Sequence, residues 1–254
     1  MPPESSASAS PSPLLRVCAL YPDLMNIYAD RGNLLMLERR CRWRGLDVQL
    51  GGAGLGDPLS GEEADLYYMG GGQDRDQALC AEDLLATKAA GLRHAAARGA
   101  VVLGVCGGYQ LLGHGYELDG TTLPGVGLLD VRTHRTEGPR LTGNVAIEVT
   151  LSGGRDTVLA GFENHGGRTR LGDEGGTRPL GRVLRGHGNN GEDGMEGARA
   201  GSVIGTYLHG PLLPKNAWFA DWLIATALGL EDLAPLDDAL EDAAHADACR
   251  AAGL

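Results

Sequence analysis

The chain is short of lysine. Only Lys88 and Lys215 are present among 254 residues, and neither follows a glycine, so the glycine-rich loop whose lysine grips the phosphates of ATP is absent. Paired cysteines are missing as well. Cys18, Cys41, Cys80, Cys106 and Cys249 are odd in number, scattered and without a CxxC pair. They read as reduced thiols of a cytoplasmic protein and give no zinc or iron–sulfur pattern. No segment approaches the roughly 18 to 20 apolar residues of a membrane span. The start, "MPPESSASASPSP", has neither a basic beginning nor an apolar stretch. A secretory signal is therefore not expected, and residues 1–15 read as a disordered tail. Positive charge is in deficit, with 22 Lys plus Arg against 33 Asp plus Glu and a net charge of -11, which argues against a general affinity for nucleic acid or anionic membrane.

What is present alternates between strand and helix. "RVCALY" from Arg16 reads as a buried strand, Asn33 to Arg44 as a helix capped by Asn33 and stopped by Gly45, and "DVQL" as a second strand. "ADLYYMGGG" runs a strand into a glycine loop, a long helical stretch follows from Asp74 to Arg98, and "AVVLGV" is the next strand. Continuous apolar strands of this kind belong to a parallel sheet covered on both faces. Beyond about Gly120 the pieces are shorter: "GLLDVRT", "GNVAIEVTL", "GRVLR" and "GSVIGTYL". Asn216 to Leu228 reads as the last strong helix, with Trp218, Phe219, Trp222 and Leu223 on one apolar face. The expected architecture is one α/β domain over residues 16–229, a mostly parallel central sheet flanked by helices. An acidic, alanine-rich extension, loosely attached, occupies 230–254.

The chemistry centres on "GVCGGYQLLG", where Gly104 and Gly108 flank Cys106 at two residues' distance. This is the G-x-C-x-G pattern of a nucleophile elbow, a tight strand-to-helix turn that needs small neighbours. A sulfur at a helix N-terminus should favour the thiolate, since unpaired N–H groups stabilise negative charge. The Gly107 N–H would face a developing oxyanion, with Gly71 and Gly72 on the neighbouring strand end as sources of a second donor. By itself the pattern fits a buried structural cysteine equally well. A thiol nucleophile also needs a base. His209 follows the strand "SVIGTYL" at the carboxyl edge of the sheet, where α/β sites collect. His165, a loop histidine in "GFENHGGRT", is its competitor.

The order of "MGGG", "GVCGGYQ" and "YLHGP" resembles the class I glutamine amidotransferases, which hydrolyse glutamine to glutamate and ammonia with a cysteine and a histidine. More narrowly, "MGGGQDRDQ", "RLTGN", "GFENHGGRT", "GNNGEDG" and "GTYLHGPLLPKN" resemble the GatD-type, CobB/CobQ-like glutaminase subunits of lipid II isoglutaminyl synthases, over roughly Arg16 to Leu228. The resemblance implies Cys106 as nucleophile, His209 as general base and acid, and Arg140 as the residue that binds the glutamine α-carboxylate. It places Gln110 and Asn164 at further glutamine contacts. It also implies a MurT-type, Mur-ligase-like partner that holds ATP and magnesium and amidates the D-glutamate of the lipid II stem peptide, with no cofactor in this chain. Many class I enzymes carry a glutamate two residues after the histidine; here Pro211 stands there. The group that orients His209 is therefore open, and a partner that raises turnover is expected. The alternatives are an amidotransferase serving another acceptor such as a corrinoid, a catalytically silent scaffold, and a non-enzymatic dinucleotide-binding module built on "GGAGLGD".

Overall fold

The computed structural model describes residues 12–27, 30–118, 120–151, 156–173 and 176–254. Most of the expected tail lies outside them. Strand β1, however, runs Leu14–Leu20, so Leu14 and Leu15 belong to the sheet, and Leu15 is fully buried. Helix α1 (Arg31–Trp43) follows, then β2 (Asp47–Ala53), β3 (Leu66–Met69), α2 (Asp74–Asp83), α3 (Ala89–Ala97), β4 (Val101–Val105) and α4 (Gly107–Leu112). Eight of the remaining strands come in succession: β5 (Gly115–Leu118), β6 (Thr121–Pro124), β7 (Val131–Arg135), β8 (Leu141–Thr150), β9 (Asp156–His165), β10 (Gly167–Leu171), β11 (Gly181–Arg185) and β12 (Met195–Glu196). The chain closes with β13 (Ala198–Ala200), β14 (Val203–Thr206), α5 (Ala217–Leu228) and α6 (Ala239–Ala252).

The central sheet has the order β13-β14-β4-β3-β1-β2 and is parallel except for β13. Its middle strands β3 and β4 are buried at every residue, as covering on both faces requires. Two smaller four-stranded sheets, β10-β7-β5-β6 and β12-β11-β8-β9, accompany it. They read as scattered strands in the sequence because β10 pairs with β7 and β11 with β8 across intervening elements.

Several expectations are corrected. Asn33 does not cap α1: the helix starts at Arg31, and Asn33 turns its amide inward to bond Tyr68. The stretch from Asp74 is helical to Ala97 as expected, with a π turn at Leu84–Lys88 between α2 and α3. That turn carries fully buried Lys88, whose Nζ meets Asp83 Oδ2 at 2.5 Å and lies 4.7 Å from the centre of the Tyr21 ring. "GGAGLGD" is no dinucleotide loop, since Gly51 and Gly52 lie within β2.

The C-terminal extension is docked rather than loose. Fully buried Arg40 of α1 bonds Asp238 at 2.7 Å through two nitrogens, while also pairing with Asp221 of α5. Helix α6 adds a contact from Asn144 Nδ2 to the Ala251 carbonyl at 2.9 Å. No described helix is long and apolar enough to cross a membrane.

Candidate active site

The elbow forms as the glycines require. Cys106 has φ 55° and ψ -108°, a left-handed conformation that costs a non-glycine residue about 1–3 kcal/mol. The strained turn is held at three points. Cys106 N–H donates to the Thr206 carbonyl at the end of β14, Gly108 N–H to that of Gly70 after β3, and Gln110 N–H to that of Cys106. Its neighbours have no room for side chains. A methyl group at Gly108 would lie 2.2 Å from the Met69 carbonyl oxygen, and one at Gly104 only 2.7 Å from Leu112.

The thiol does not rest as the expected thiolate. Burial, then the Asp30 carboxylate, pushes Cys106 up to about 12, against the opposing pull of the Gly107 N–H and of Arg140. Helix α4 has only six residues, too little to reverse this.

His209 is held by its backbone. It exchanges both backbone hydrogen bonds with Phe162 of β9 at 3.0 Å, and the two rings meet edge to face with centres 5.9 Å apart. Burial, with smaller effects from His165, Lys215 and Arg140, lowers the imidazole to about 4, so it is a neutral base at physiological pH. Pro211 occupies the usual acid position by packing on α1, where a methyl group at Gly32 would sit 3.0 Å from its Cγ. The buried carboxylate that does act on the imidazole is Glu163, which favours its protonated form. Glu163 accepts the backbone N–H groups of His187 and Gly188 at 2.7 and 2.9 Å and stands 3.9 Å from His165 Nε2.

His165 is no loop residue. It ends β9, stacks on Tyr207 at 3.6 Å between ring centres, and bonds the Gly167 carbonyl through Nδ1 at 2.8 Å. Asn164, beside it, receives Arg140: the guanidinium donates to its side-chain oxygen and to its carbonyl, both at 2.6 Å. Arg140 thus lies exposed at the mouth, with its charge felt by both Cys106 and His209.

Gln110 is buried. Its oxygen accepts from Gln77 at 2.8 Å and its nitrogen donates to the Tyr207 hydroxyl at 3.1 Å, so its amide braces the floor. The two loop glycines also separate. Gly71 N–H donates to Asp30 Oδ2 at 2.8 Å and is committed. The Gly72 nitrogen instead borders Gly107, where an added methyl group would lie 3.2 Å from it.

Beneath the elbow, Glu196 pins the end of β14. Fully buried, it accepts from Thr206 Oγ1 at 3.0 Å and from Tyr207 N–H at 2.6 Å. Burial raises its carboxyl from 4.5 to about 8, its hydrogen bonds opposing and Glu163 adding. Between those values the folded state holds a proton that the unfolded state releases. Glu196 therefore makes stability fall as pH rises through that window. Glu196→Gln should flatten the decline of Tm between pH 5 and 8.5; curves parallel to wild type would show that Glu196 is ionised throughout.

Asp30, Gln77, Glu163 and Tyr207 escaped the sequence reading. Glu163 lies inside "GFENHGGRT", but a single internal glutamate gives no signal that it is buried.

A CobB/CobQ-like glutamine amidotransferase domain model matches residues 16–217. The chain belongs to that family. Among its relatives is the protein of Staphylococcus aureus named lipid II isoglutaminyl synthase (glutamine-hydrolyzing) subunit GatD, 42% identical over 206 residues that span 81% of each chain. The protein of that name from Streptococcus pneumoniae is 39% identical over 84% of this chain and 80% of its own. Cobyric acid synthase of Pelotomaculum thermopropionicum shares 44% identity, but over 48% of this chain and 25% of that one. Among solved structures, PurLQS of Thermotoga maritima superposes with a TM-score of 0.55 at 21% identity, covering 85% of this chain and 95% of that one, which shows a common fold. In this fold Cys106 and His209 follow the paired parallel strands β4 and β14, at the carboxyl end of the central sheet.

Proposed function

We propose that the chain is the glutamine-hydrolysing subunit of a lipid II isoglutaminyl synthase. The single observation that carries the chemistry is Cys106 on its strained elbow, with the N–H side of Gly107 and Gly72 at hand and His209 neutral. The GatD relatives, matched over four-fifths of their length, carry the acceptor.

The reaction starts from an uncharged pair. His209 takes the Cys106 proton as the sulfur attacks the side-chain amide carbon of glutamine, so charge develops only as the tetrahedral intermediate forms. That oxyanion accepts hydrogen bonds from Gly107 and Gly72. His209 then protonates the departing ammonia, and water that it deprotonates cleaves the thioester to glutamate.

Ammonia passes to a MurT-type, Mur-ligase-like partner, which binds ATP and magnesium and amidates the stem-peptide D-glutamate. Turnover should rise in the complex, with Pro211 standing where many class I enzymes carry a glutamate. Arg140, already oriented by Asn164, takes the glutamine α-carboxylate as a bidentate pair. Glutamate release by Arg140→Ala should therefore show a KM for glutamine raised about tenfold or more, with a smaller change in kcat. An unchanged KM would remove Arg140 from the binding site.

A further inference from the structure

Asp30 lies at the start of α1 and is only 1% exposed. Its carboxylate has two donors, Gly71 N–H on Oδ2 and the Tyr68 hydroxyl on Oδ1, each at 2.8 Å. Tyr68 in turn accepts from Asn33 Nδ2 at 2.8 Å, and Asn33 Oδ1 accepts the Leu213 N–H at 2.8 Å. The three side chains are buried. They join the glycine loop after β3, which borders Cys106, to the turn that follows His209.

Gly71 and Gly72 have no side chains to fix their peptide planes, and such a loop is free to flip. Here Gly71 is held at both ends, its N–H by Asp30 and its carbonyl by Ile27 N–H at 3.3 Å. In a trans peptide the N–H points opposite to the preceding carbonyl. Fixing the Gly71 carbonyl toward Ile27 therefore directs the Gly72 N–H the other way, and its nitrogen borders Gly107.

Nucleophile activation does not explain a carboxylate here, because the Asp30 charge adds to burial in favouring the Cys106 thiol over its thiolate. We infer that Asp30 is a positioning residue for the oxyanion loop, and that Tyr68 and Asn33 tie this loop to the His209 segment. The inference rests on the glutaminase reading above and adds the device that keeps its second oxyanion donor in place.

The test compares wild type, Asp30→Asn and Tyr68→Phe in the assembled complex, with glutamine hydrolysis and alkylation of Cys106 by iodoacetamide as separate readouts. Alkylation is a displacement at carbon that forms no oxyanion. Asp30→Asn keeps the shape but presents an NH₂ group to a donor, so kcat should fall about 10- to 100-fold, part of the loss for removing an oxyanion donor outright. The KM should stay within roughly twofold. Alkylation should be unchanged or faster, since a negative charge beside the thiol is gone. Tyr68→Phe, which leaves the carboxylate in place, should show the same pattern more weakly.

An unchanged kcat in both variants overturns the inference, as does a parallel loss of kcat and alkylation, which marks general disruption of the site. Cys106→Ala, run beside them, separates the two claims. Retained hydrolysis there overturns the nucleophile and this inference together; lost hydrolysis with a normal Asp30→Asn overturns this inference alone.

Discussion

Cys106→Ala is expected to lower glutamine hydrolysis by about 10⁴-fold or more, while the assembled synthase still amidates its acceptor when ammonium is supplied. Loss of the sulfur removes the thioester route, and no other cysteine replaces it. Cys18, Cys41 and Cys80 are buried apart from the elbow, and Cys249 lies on α6 beside His245. Rescue by ammonium follows because the proposed ligase chemistry belongs to the partner. The substitution should leave the fold intact, since alanine keeps the backbone hydrogen bonds of the elbow and removes only the sulfur. Glutamine-dependent ammonia release retained by this variant would show that the nucleophile lies elsewhere.

His209→Ala should lower glutamine turnover by about 10²–10⁴-fold, the usual worth of a general base and acid. The neutral resting pair sharpens this expectation. With the imidazole lowered to about 4 and the thiol raised to about 12, the two do not form an ion pair before glutamine binds. Alkylation of Cys106 at pH 7 should then be slow in wild type and change little in His209→Ala, although turnover collapses. If alkylation falls as steeply as turnover, the resting enzyme holds a thiolate and an imidazolium, and the account of burial at this site is wrong.

The site's centre was legible because its physical requirements are local. A nucleophile on a tight turn needs glycines two residues to either side, and Gly104 and Gly108 could be read directly. His209 could be placed at a strand end because "SVIGTYL" is a continuous apolar run. Its setting was not legible, since it depends on residues distant in sequence: Phe162 pairs with the His209 backbone, and Glu163 acts on the ring from the same strand.

The distinction between Gly71 and Gly72 was also out of reach. It rests on Asp30, forty-one residues before Gly71 and marked by no motif in the sequence. The same limit explains the extension after Gly229. Acidic and alanine-rich, it reads as loose until buried Arg40 is found to bond Asp238 across 198 residues. Arg40 is one of twenty arginines, and nothing in its own neighbourhood marks it as buried. Asn164 and His165 form a strand end because they pair with Thr142 and Leu141 at the far end of the β8–β9 hairpin, well away from its turn.

The central claim is that this chain releases ammonia from glutamine for transfer to the stem-peptide acceptor of lipid II. Its most direct test supplies glutamine labelled with ¹⁵N in the side-chain amide to the chain copurified with a Mur-ligase-like partner, together with ATP, magnesium and lipid II, and follows the label by mass spectrometry. The account predicts labelled carboxamide on the stem peptide with the wild-type chain, and none with Cys106→Ala unless ammonium is added. Lipid II left unlabelled by an intact, ATP-competent complex, or label transferred equally by Cys106→Ala, would contradict it.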